Sequence, residues 1–333
     1  MTQHPGSPRR RALLAAALAA PAATLLPFAA HAQGSEFPSR PVRIVLPFPP
    51  GTANDITLRL VAERLSARWK QPVVVDNRPG GSSIIGTDAV AKSAADGYTL
   101  LANITLIVQN PALRKKLPYD PKDLVPVTQL NRQQLAVFVR SELPVRNFSE
   151  LVAHAQARPG TLNFASWGLG STAHLMFEKI QLDKGVKMVH VPYKGGAEIN
   201  KAVLSGEADI GVADLLSPDA FFKAGKLRVI AVTGPRRLAR MPEVQTLAEA
   251  GVGGFDGYNW VGLFAPASTP AAIVRRISDE INLVQADAAL GKRFRDEMFV
   301  EPSETTPQDF AKIYERDMAT WTQVIRETRV TLD

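Results

Sequence analysis

Short β-branched runs alternate along the chain with stretches whose apolar positions recur three and four apart, the pattern of parallel sheets with crossover helices. Val42 to Pro47 reads as a strand, and Ile56, Leu60, Val61 and Leu65 then repeat at helical spacing before an extended run at Pro72 to Val75. A helix over roughly Ile85 to Ala91 and a strand at Tyr98 to Ala102 complete a first βαβ set. A second set places strands at Ala136 to Arg140, Leu162 to Ala165 and Met188 to Val191, with helices around Leu151 to Ala155 and His174 to Ile180. Ala208 to Ala213 and Leu227 to Val232 add strands, and after Gly251-Val252-Gly253-Gly254 the segment Trp260 to Ala265 is again extended. The tail is helical from Ala271 to Ala286 and from Gln308 to Thr328. Two βαβ sets in one chain predict an α/β protein of two lobes.

Composition agrees: 333 residues, 45% hydrophobic and 21% charged, exceed the usual single-core domain of about 100 to 200 residues. The chain has no cysteine, which excludes disulfides, thiolate metal sites, iron–sulfur clusters and cysteine nucleophiles. Residues 1–32 read as an export segment: Arg9-Arg10-Arg11, an apolar stretch from Ala12 to Ala30, and Ala30-His31-Ala32 as a cleavage signal, with the mature chain beginning near Gln33. Pro21 and Pro27 interrupt the stretch and argue against a membrane anchor. The consecutive arginines suggest the twin-arginine route. Removing three of the 39 Lys and Arg and none of the 32 Asp and Glu leaves a formal charge of +4 rather than +7. The basic groups Arg114-Lys115-Lys116, Arg236-Arg237 and Arg275-Arg276 lack interleaved aromatics, so no nucleic-acid partner is expected. A modest positive field still favours the approach of an anion.

Parallel-sheet proteins bind ligands where strands run into helices. Pro47-Phe48-Pro49-Pro50-Gly51-Thr52-Ala53-Asn54-Asp55 is such a junction. Proline has no N–H, so an anion there must use the amides of Gly51 and its followers at the positive end of the helix. An ordinary Pro/Gly turn is the competing explanation. Asp55 is placed to cap the helix, and direct ligand contact is its alternative role. The phosphate-loop pattern with its lysine is missing. A second junction, Ala165-Ser166-Trp167-Gly168-Leu169-Gly170-Ser171-Thr172-Ala173-His174, offers glycines, hydroxyls and amides as a facing jaw. Gly168, Gly170 and Ala173 match G-x-G-x-x-A in form, but the next strand ends in Pro192-Tyr193-Lys194 and not in the acidic residue a dinucleotide ribose needs. Ser171 and His174 could be read as nucleophile and base of an exported hydrolase, yet no G-x-S-x-G elbow exists and a histidine near a helix start is commonly structural. His154, His174 and His190 have no metal-ligand spacing, so no metal or other cofactor is expected. Tyr193 reads as either an aromatic cover or a ligand contact. Asp214 reads as either a turn cap or the acceptor for a ligand ammonium or hydroxyl.

Pro38-Ser39-Arg40-Pro41, Pro47-Phe48-Pro49-Pro50-Gly51, Asp76-Asn77-Arg78-Pro79-Gly80, Ala95-Asp96-Gly97-Tyr98-Thr99-Leu100-Leu101 and Leu117-Pro118-Tyr119-Asp120-Pro121 stand in one order. They are followed by His190-Val191-Pro192-Tyr193-Lys194-Gly195, Gly225-Lys226-Leu227-Arg228 with Ala231-Val232-Thr233, and Glu249-Ala250-Gly251. Over nearly all of Phe37 to Asp333 the chain thereby resembles the extracytoplasmic solute receptors of tripartite tricarboxylate transporters, the Bug family. The resemblance implies a type II periplasmic-binding-protein fold, with residues 33–135 and 258–333 in one lobe, residues 136–257 inserted as the other, and the ligand cleft between them. It further implies a non-catalytic, monomeric periplasmic receptor that delivers a small carboxylate to a membrane permease, with a sensory role, in which the same closed form docks on a receptor kinase, as the alternative. In such receptors the two loops hold a carboxylate through backbone amides and ordered waters. By that likeness the role falls to Phe48, Gly51, Thr52, Asn54 and Asp55, and to Ser166, Gly168, Gly170, Ser171 and Thr172. Asn103 and Thr105 are further candidates for pocket lining. The family has two or three glycines after the proline pair, whereas Gly51 is followed here by Thr52, Ala53 and Asn54, which narrows the pocket and leaves the ligand's identity open.

Overall fold

Val42, Ile44, Val45 and Leu46 are buried because β1 (Val42–Leu46) has parallel neighbours on both sides, β2 (Val73–Asn77) and β3 (Thr99–Ile104). A strand covered on both faces carries a nearly unbroken apolar run. The crossover α1 (Ala53–Trp69) turns Leu58, Val61, Ala62, Leu65 and Trp69 inward at helical spacing and stops at Lys70, whose φ of 52° is left-handed. The second crossover is α2 (Ile84–Ala91); α3 (Leu106–Leu113) follows β3, and β4 (Leu124–Gln133) leads out of this sheet. These elements come from a computed structural model that describes residues 1–2, 37–254 and 259–332. The export segment beyond residue 2 and the crossing expected at Tyr258 lie outside the described residues.

Two residues after β4, β5 (Ala136–Arg140) opens a second sheet. It continues through α4 (Phe148–Ala157), β6 (Asn163–Ser166), α5 (Thr172–Lys184), β7 (Val189–Pro192), α6 (Gly196–Ser205), β8 (Ile210–Ala213), α7 (Asp219–Lys223) and β9 (Leu227–Val232). The chain returns to the first sheet in β10 (Asn259–Pro266) and ends with α8 (Ala271–Gln285), α9 (Ala288–Met298), β11 (Val300–Pro302) and α10 (Pro307–Thr328). Strand orders are β11-β4-β10-β3-β1-β2 and β7-β6-β8-β5-β9. The pairs β1/β2, β1/β3, β6/β7 and β6/β8 are parallel, as the βαβ pattern predicts. In contrast, β10 is antiparallel to β3 and β4, and β5 to β8 and β9. A strand arriving from the other sheet has no crossover helix to return it to the same end, so it runs against its neighbours.

All these elements lie within residues 38–333, one compact unit. One buried apolar cluster joins Val45 and Leu101 of the first sheet to Phe164 and Phe177 of the second and to Trp321, Val324 and Ile325 of α10. Gly262 of β10 admits this helix: a Cβ there would stand 2.1 Å from the Phe310 ring. The expected α/β class with two sheets is what the chain adopts, whereas α3, β4, α6, α7, α9 and β11 have no counterpart in the periodicity.

Candidate functional site

The loop before α1 is shaped by one carboxylate. Asp55 is 3% exposed and accepts from the Gly51 amide at 2.9 Å, from Arg59 Nε at 3.0 and 3.1 Å, and from Asn77 Nδ2 at 3.0 Å. Burial opposes its ionisation, but Arg59, the Gly51 amide and Asn77 outweigh burial and hold its pKa below the usual carboxylate value. Asn77 also donates to Phe48 O at 3.0 Å and accepts from Arg59 Nη2 at 2.7 Å, so the half-buried Phe48 is fixed through its backbone. Asp55 is therefore not the helix cap. Thr52 is, its hydroxyl accepting from the Asp55 amide at 3.4 Å. Asp55 sits three residues into the turn and reaches back to the preceding amide, in the manner of a capping box. The expectation that the anion donors begin at Gly51 is corrected with it, because that amide is already bonded. Among the described residues, the amides of Thr52, Ala53 and Asn54 have no recorded acceptor, as first-turn amides lack helical partners.

Asn103 is fully buried, donating to Thr87 Oγ1 at 3.0 Å and Ser83 Oγ at 3.3 Å and accepting from the Ile104 amide at 2.8 Å. With both ends of its side chain engaged it lines no pocket; it anchors the loop ahead of α2. That loop was not a candidate in the sequence, although its Gly80-Gly81-Ser82-Ser83 run between strand and helix is a legible signal. Ser82 and Ser83 take left-handed φ values of 54° and 73°, and Asn110 of α3 donates to Ser82 O at 2.9 Å. Gly86 lets the loop sit against the first one: a Cβ there would fall 2.8 Å from Pro47 Cβ.

The same helix α3 reaches the second sheet. Gln109 donates to Thr172 Oγ1 at 2.9 Å, and Thr105 Oγ1 lies 2.8 Å from the same hydroxyl, so the Thr105 and Thr172 side chains serve each other. Ser171 caps α5 by accepting from the His174 amide at 3.3 Å, while His174 Nδ1 accepts from the Gly170 amide at 3.0 Å. The Ser171 hydroxyl and the His174 ring are thus each occupied by backbone, which removes the geometric basis for a nucleophile and its base. Ser166 is also fully buried, bonded to His190 Nε2 at 2.7 Å and 3.2 Å from Ser171 Oγ, and supports the loop from beneath. His190 stacks on His174 with ring centres 4.0 Å apart; burial, then the neighbouring imidazole, push its pKa down to about 3. Gly168 has a φ of 120° with open space where a Cβ would be. At Gly170, with a φ of 72°, a Cβ would stand 2.7 Å from Leu113 Cδ1 and 2.8 Å from Leu332 Cδ1, so only glycine fits. Asn54 is part-buried and its carbonyl accepts from Thr57 Oγ1, leaving its amide free.

Tyr193 packs on the second-sheet core and donates to Glu207 Oε1 at 3.0 Å, the cover role. Asp214 accepts from the Ser217 amide at 2.9 Å, the turn-cap role, and burial raises its pKa. Its Oδ2 lies 3.4 Å from where a Gly196 Cβ would stand, which brings the ends of β7 and β8 together. Among the described residues no cluster of His, Asp or Glu is arranged to hold a metal, and no helix is long and apolar enough to cross a membrane.

Comparison with known proteins sets this geometry in a family. Residues 57–330 match the tripartite tricarboxylate transporter family receptor. BugT of Bordetella pertussis is 33% identical over 307 residues, covering 91% of this chain and 94% of BugT. The structure of R. palustris Rpa4515 with adipate superposes with a TM-score of 0.82 at 32% identity, over 89% of this chain and 99% of that one. MatC from Rhodopseudomonas palustris with bound malate gives 0.78 at 25% identity, over 87% and 100% of the two chains. The chain belongs to the tripartite tricarboxylate transporter receptor family, a family of periplasmic solute-binding receptors.

Proposed function

We propose that the protein captures a small organic carboxylate between its two sheets and hands it to a membrane permease. One observation carries this reading: α1 and α5 each begin with a hydroxyl cap, Thr52 and Ser171, and leave the amides of Thr52 to Asn54 and of Thr172 and Ala173 without acceptors among the described residues. Backbone amides at the positive ends of two helices are suited to one carboxylate, which they hold without a cationic side chain. Phe48, Gly51, Asp55, Gly168 and Gly170 shape the two loops and Ser166 supports the second from beneath, while Asn103 anchors the loop ahead of α2, Tyr193 covers the second-sheet core and Asp214 caps its own turn. The Gly81 to Ser83 amides, in successive left-handed residues, are added as a third donor group. The adipate and malate bound by the two relatives fit a receptor for small dicarboxylates.

Residues 33–135 with 258–333, and 136–257, act as the two lobes, closing about the link Gln134-Leu135. The protein works in the periplasm, delivered there by residues 1–32. N-terminal sequencing of the periplasmic protein should begin at Gln33, and Arg10→Lys with Arg11→Lys should block export if the route is twin-arginine.

The test of binding is a thermal-shift panel on protein unfolded and refolded to strip carried-over ligand. A native-state ligand at a hundredfold excess over Kd adds about 2.7 kcal/mol. At least one mono-, di- or tricarboxylate should therefore raise Tm by several degrees, and Gly170→Ala should blunt the shift. No shift with any of them, from a protein whose refolded spectrum is native, would sink the reading.

A further inference from the structure

In the order β7-β6-β8-β5-β9, strand β9 is a margin of the second sheet, paired along Leu227 to Val232 with β5. On its other side the chain meets it at its end alone. Val232 bridges to Thr246 in parallel, its amide donating to Gln245 O at 3.0 Å and its carbonyl accepting from Leu247 at 2.9 Å. From Leu227 to Ala231 this edge has no neighbouring strand among the described residues. In that place lies a cavity of about 550 Å³, walled by Leu227 to Ile230 on one side and by Arg237 to Gln245 on the other. None of the residues assigned above to the carboxylate site lines it.

The groove has a chemical bias. Arg146, Lys223, Arg228, Arg237 and Arg240 face it, against the carboxylates of Asp219 and Glu243. Lys223 is paired with Asp219, and Arg237 with Glu249 outside the groove. Arg228 is held by the carbonyls of Val145 and Ser141 at 3.0 and 3.2 Å, and Arg240 by the Asp296 carbonyl and the Phe299 ring. Arg240 also stands 4.0 Å from Asp219, which Lys223 shares, whereas carbonyls fix the Arg228 guanidinium without neutralising it. Gln245 Nε2 is buried with no acceptor in the described structure, and a buried amide donor left unmade costs on the order of 1 to 3 kcal/mol.

A free anion would answer the cations and leave the strand edge unanswered. An extended chain answers both, because its backbone repeats at the ~3.3 Å spacing of the strand it joins and its carboxylates reach the rim. We propose that the edge of β9 is a docking site for an acidic, extended peptide segment of a partner protein, which adds to the second sheet as a strand. Its backbone pairs with Leu227 to Ala231, its carboxylates meet Arg146, Arg228 and Arg240, and one of its oxygens accepts from Gln245 Nε2. The segment from Val244 to Leu247 shows the pairing mode in miniature, since it already lies parallel against the end of β9.

The probes are fluorescent peptides of about ten residues, long enough to span a strand, that alternate valine with glutamate, lysine or serine. With the refolded mature chain, the glutamate peptide should bind at least about tenfold tighter than the lysine peptide, a difference of 1.4 kcal/mol. It should slow hydrogen exchange at Leu227 to Ala231, and N-methylation of alternate backbone nitrogens should abolish it. Arg146→Glu, at an exposed position, and Gln245→Ala should each weaken it several-fold while leaving carboxylate binding in the thermal-shift assay unchanged. Equal binding of the three peptides, or survival of binding after N-methylation, overturns the proposal. So does tight binding of inorganic pyrophosphate that Arg146→Glu abolishes, which would make the groove a small-anion site. Failure of every peptide to bind also overturns it and leaves the cations as guards of an exposed edge.

Discussion

Removing the Asp55 carboxylate strips an acceptor from Gly51, Arg59 and Asn77 at once. Arg59 is half exposed, so the main cost is the hydrogen bonds lost by Gly51 and Asn77, about 1 to 3 kcal/mol, and Asp55→Ala should lose roughly that in urea unfolding and at least tenfold in ligand affinity as the loop relaxes. Asp55→Asn, which retains an oxygen for Gly51, should lose less on both counts. Since the folded pKa of Asp55 is depressed, its contribution is complete above the unfolded value near 4 and disappears as pH falls through the lower folded value. His190 also has a depressed folded pKa, about 3 against 6.5 for the free side chain. Being a base kept neutral, it supports the fold fully above about pH 6.5 and progressively less as pH falls towards 3. Its imidazole resonances should not titrate between pH 7 and 5, and His190→Gln should flatten the dependence of Tm on pH over that range; an ordinary titration near 6.5 would refute this. Sequence could show that the Pro47 to Asp55 loop precedes a helix, and it offered Asp55 as the cap. It could not show that Thr52 caps instead, because Arg59 and Asn77 claim the Asp55 carboxylate, and Asn77 is contributed by another strand. Asn103 and Ser166 misled in the same way: polar residues at strand ends look like ligand groups until their buried partners are known.

Helix α5 depends on a short turn that is packed at Gly170 and Ser171. Ser171→Ala removes the N-cap and should cost about 1 kcal/mol. Gly170→Ala should cost more, because the left-handed φ of 72° and the collision with Leu113 and Leu332 add to one another. Chemical denaturation of both variants checks the order, and a Gly170→Ala loss smaller than that of Ser171→Ala would contradict the packing described. Elements built on apolar periodicity were legible, with Leu227 to Val232 matching to the residue. Those that bury polar side chains were not. In β4, Thr128, Gln129, Asn131 and Gln133 are all buried, and the pattern reads as loop. Thr128 and Gln129 are satisfied by Thr305, and the Gln129 side chain by Ser303, so the strand is an interior one whose partners lie far along the chain. In α3, Pro111 lies inside the helix and Gln109 and Asn110 are fully buried, which breaks both the propensity and the amphipathic stripe. That helix ties the loops of both sheets together, so the element least visible in the sequence is central to the site.

At the scale of the molecule, two βαβ sets announced two sheets, but strand order depends on where β10 inserts, and no local pattern encodes that. The C-terminal region shows the same dependence on assembly. Helix α10 packs against α3 and β4 of the first sheet and α5 of the second, and Lys179 of α5 meets Glu327 at 3.4 Å. Beyond the helix, the Leu332 amide donates to Leu113 O at 3.0 Å, and its side chain fills the space beside Gly170. These last residues therefore hold in place the loop before α5, where the proposed site lies. Deleting residues 330–333 should lower Tm by a few degrees, as expected for about 1 kcal/mol in a chain of this size. It should also speed hydrogen exchange at Gly168 to Ser171 and weaken the best carboxylate several-fold. Leu332→Ala, which keeps the backbone bond to Leu113, should produce the exchange effect with a smaller loss of stability. If the deletion lowers Tm while exchange in the loop and affinity stay unchanged, the tail merely covers core and the coupling to the site is wrong.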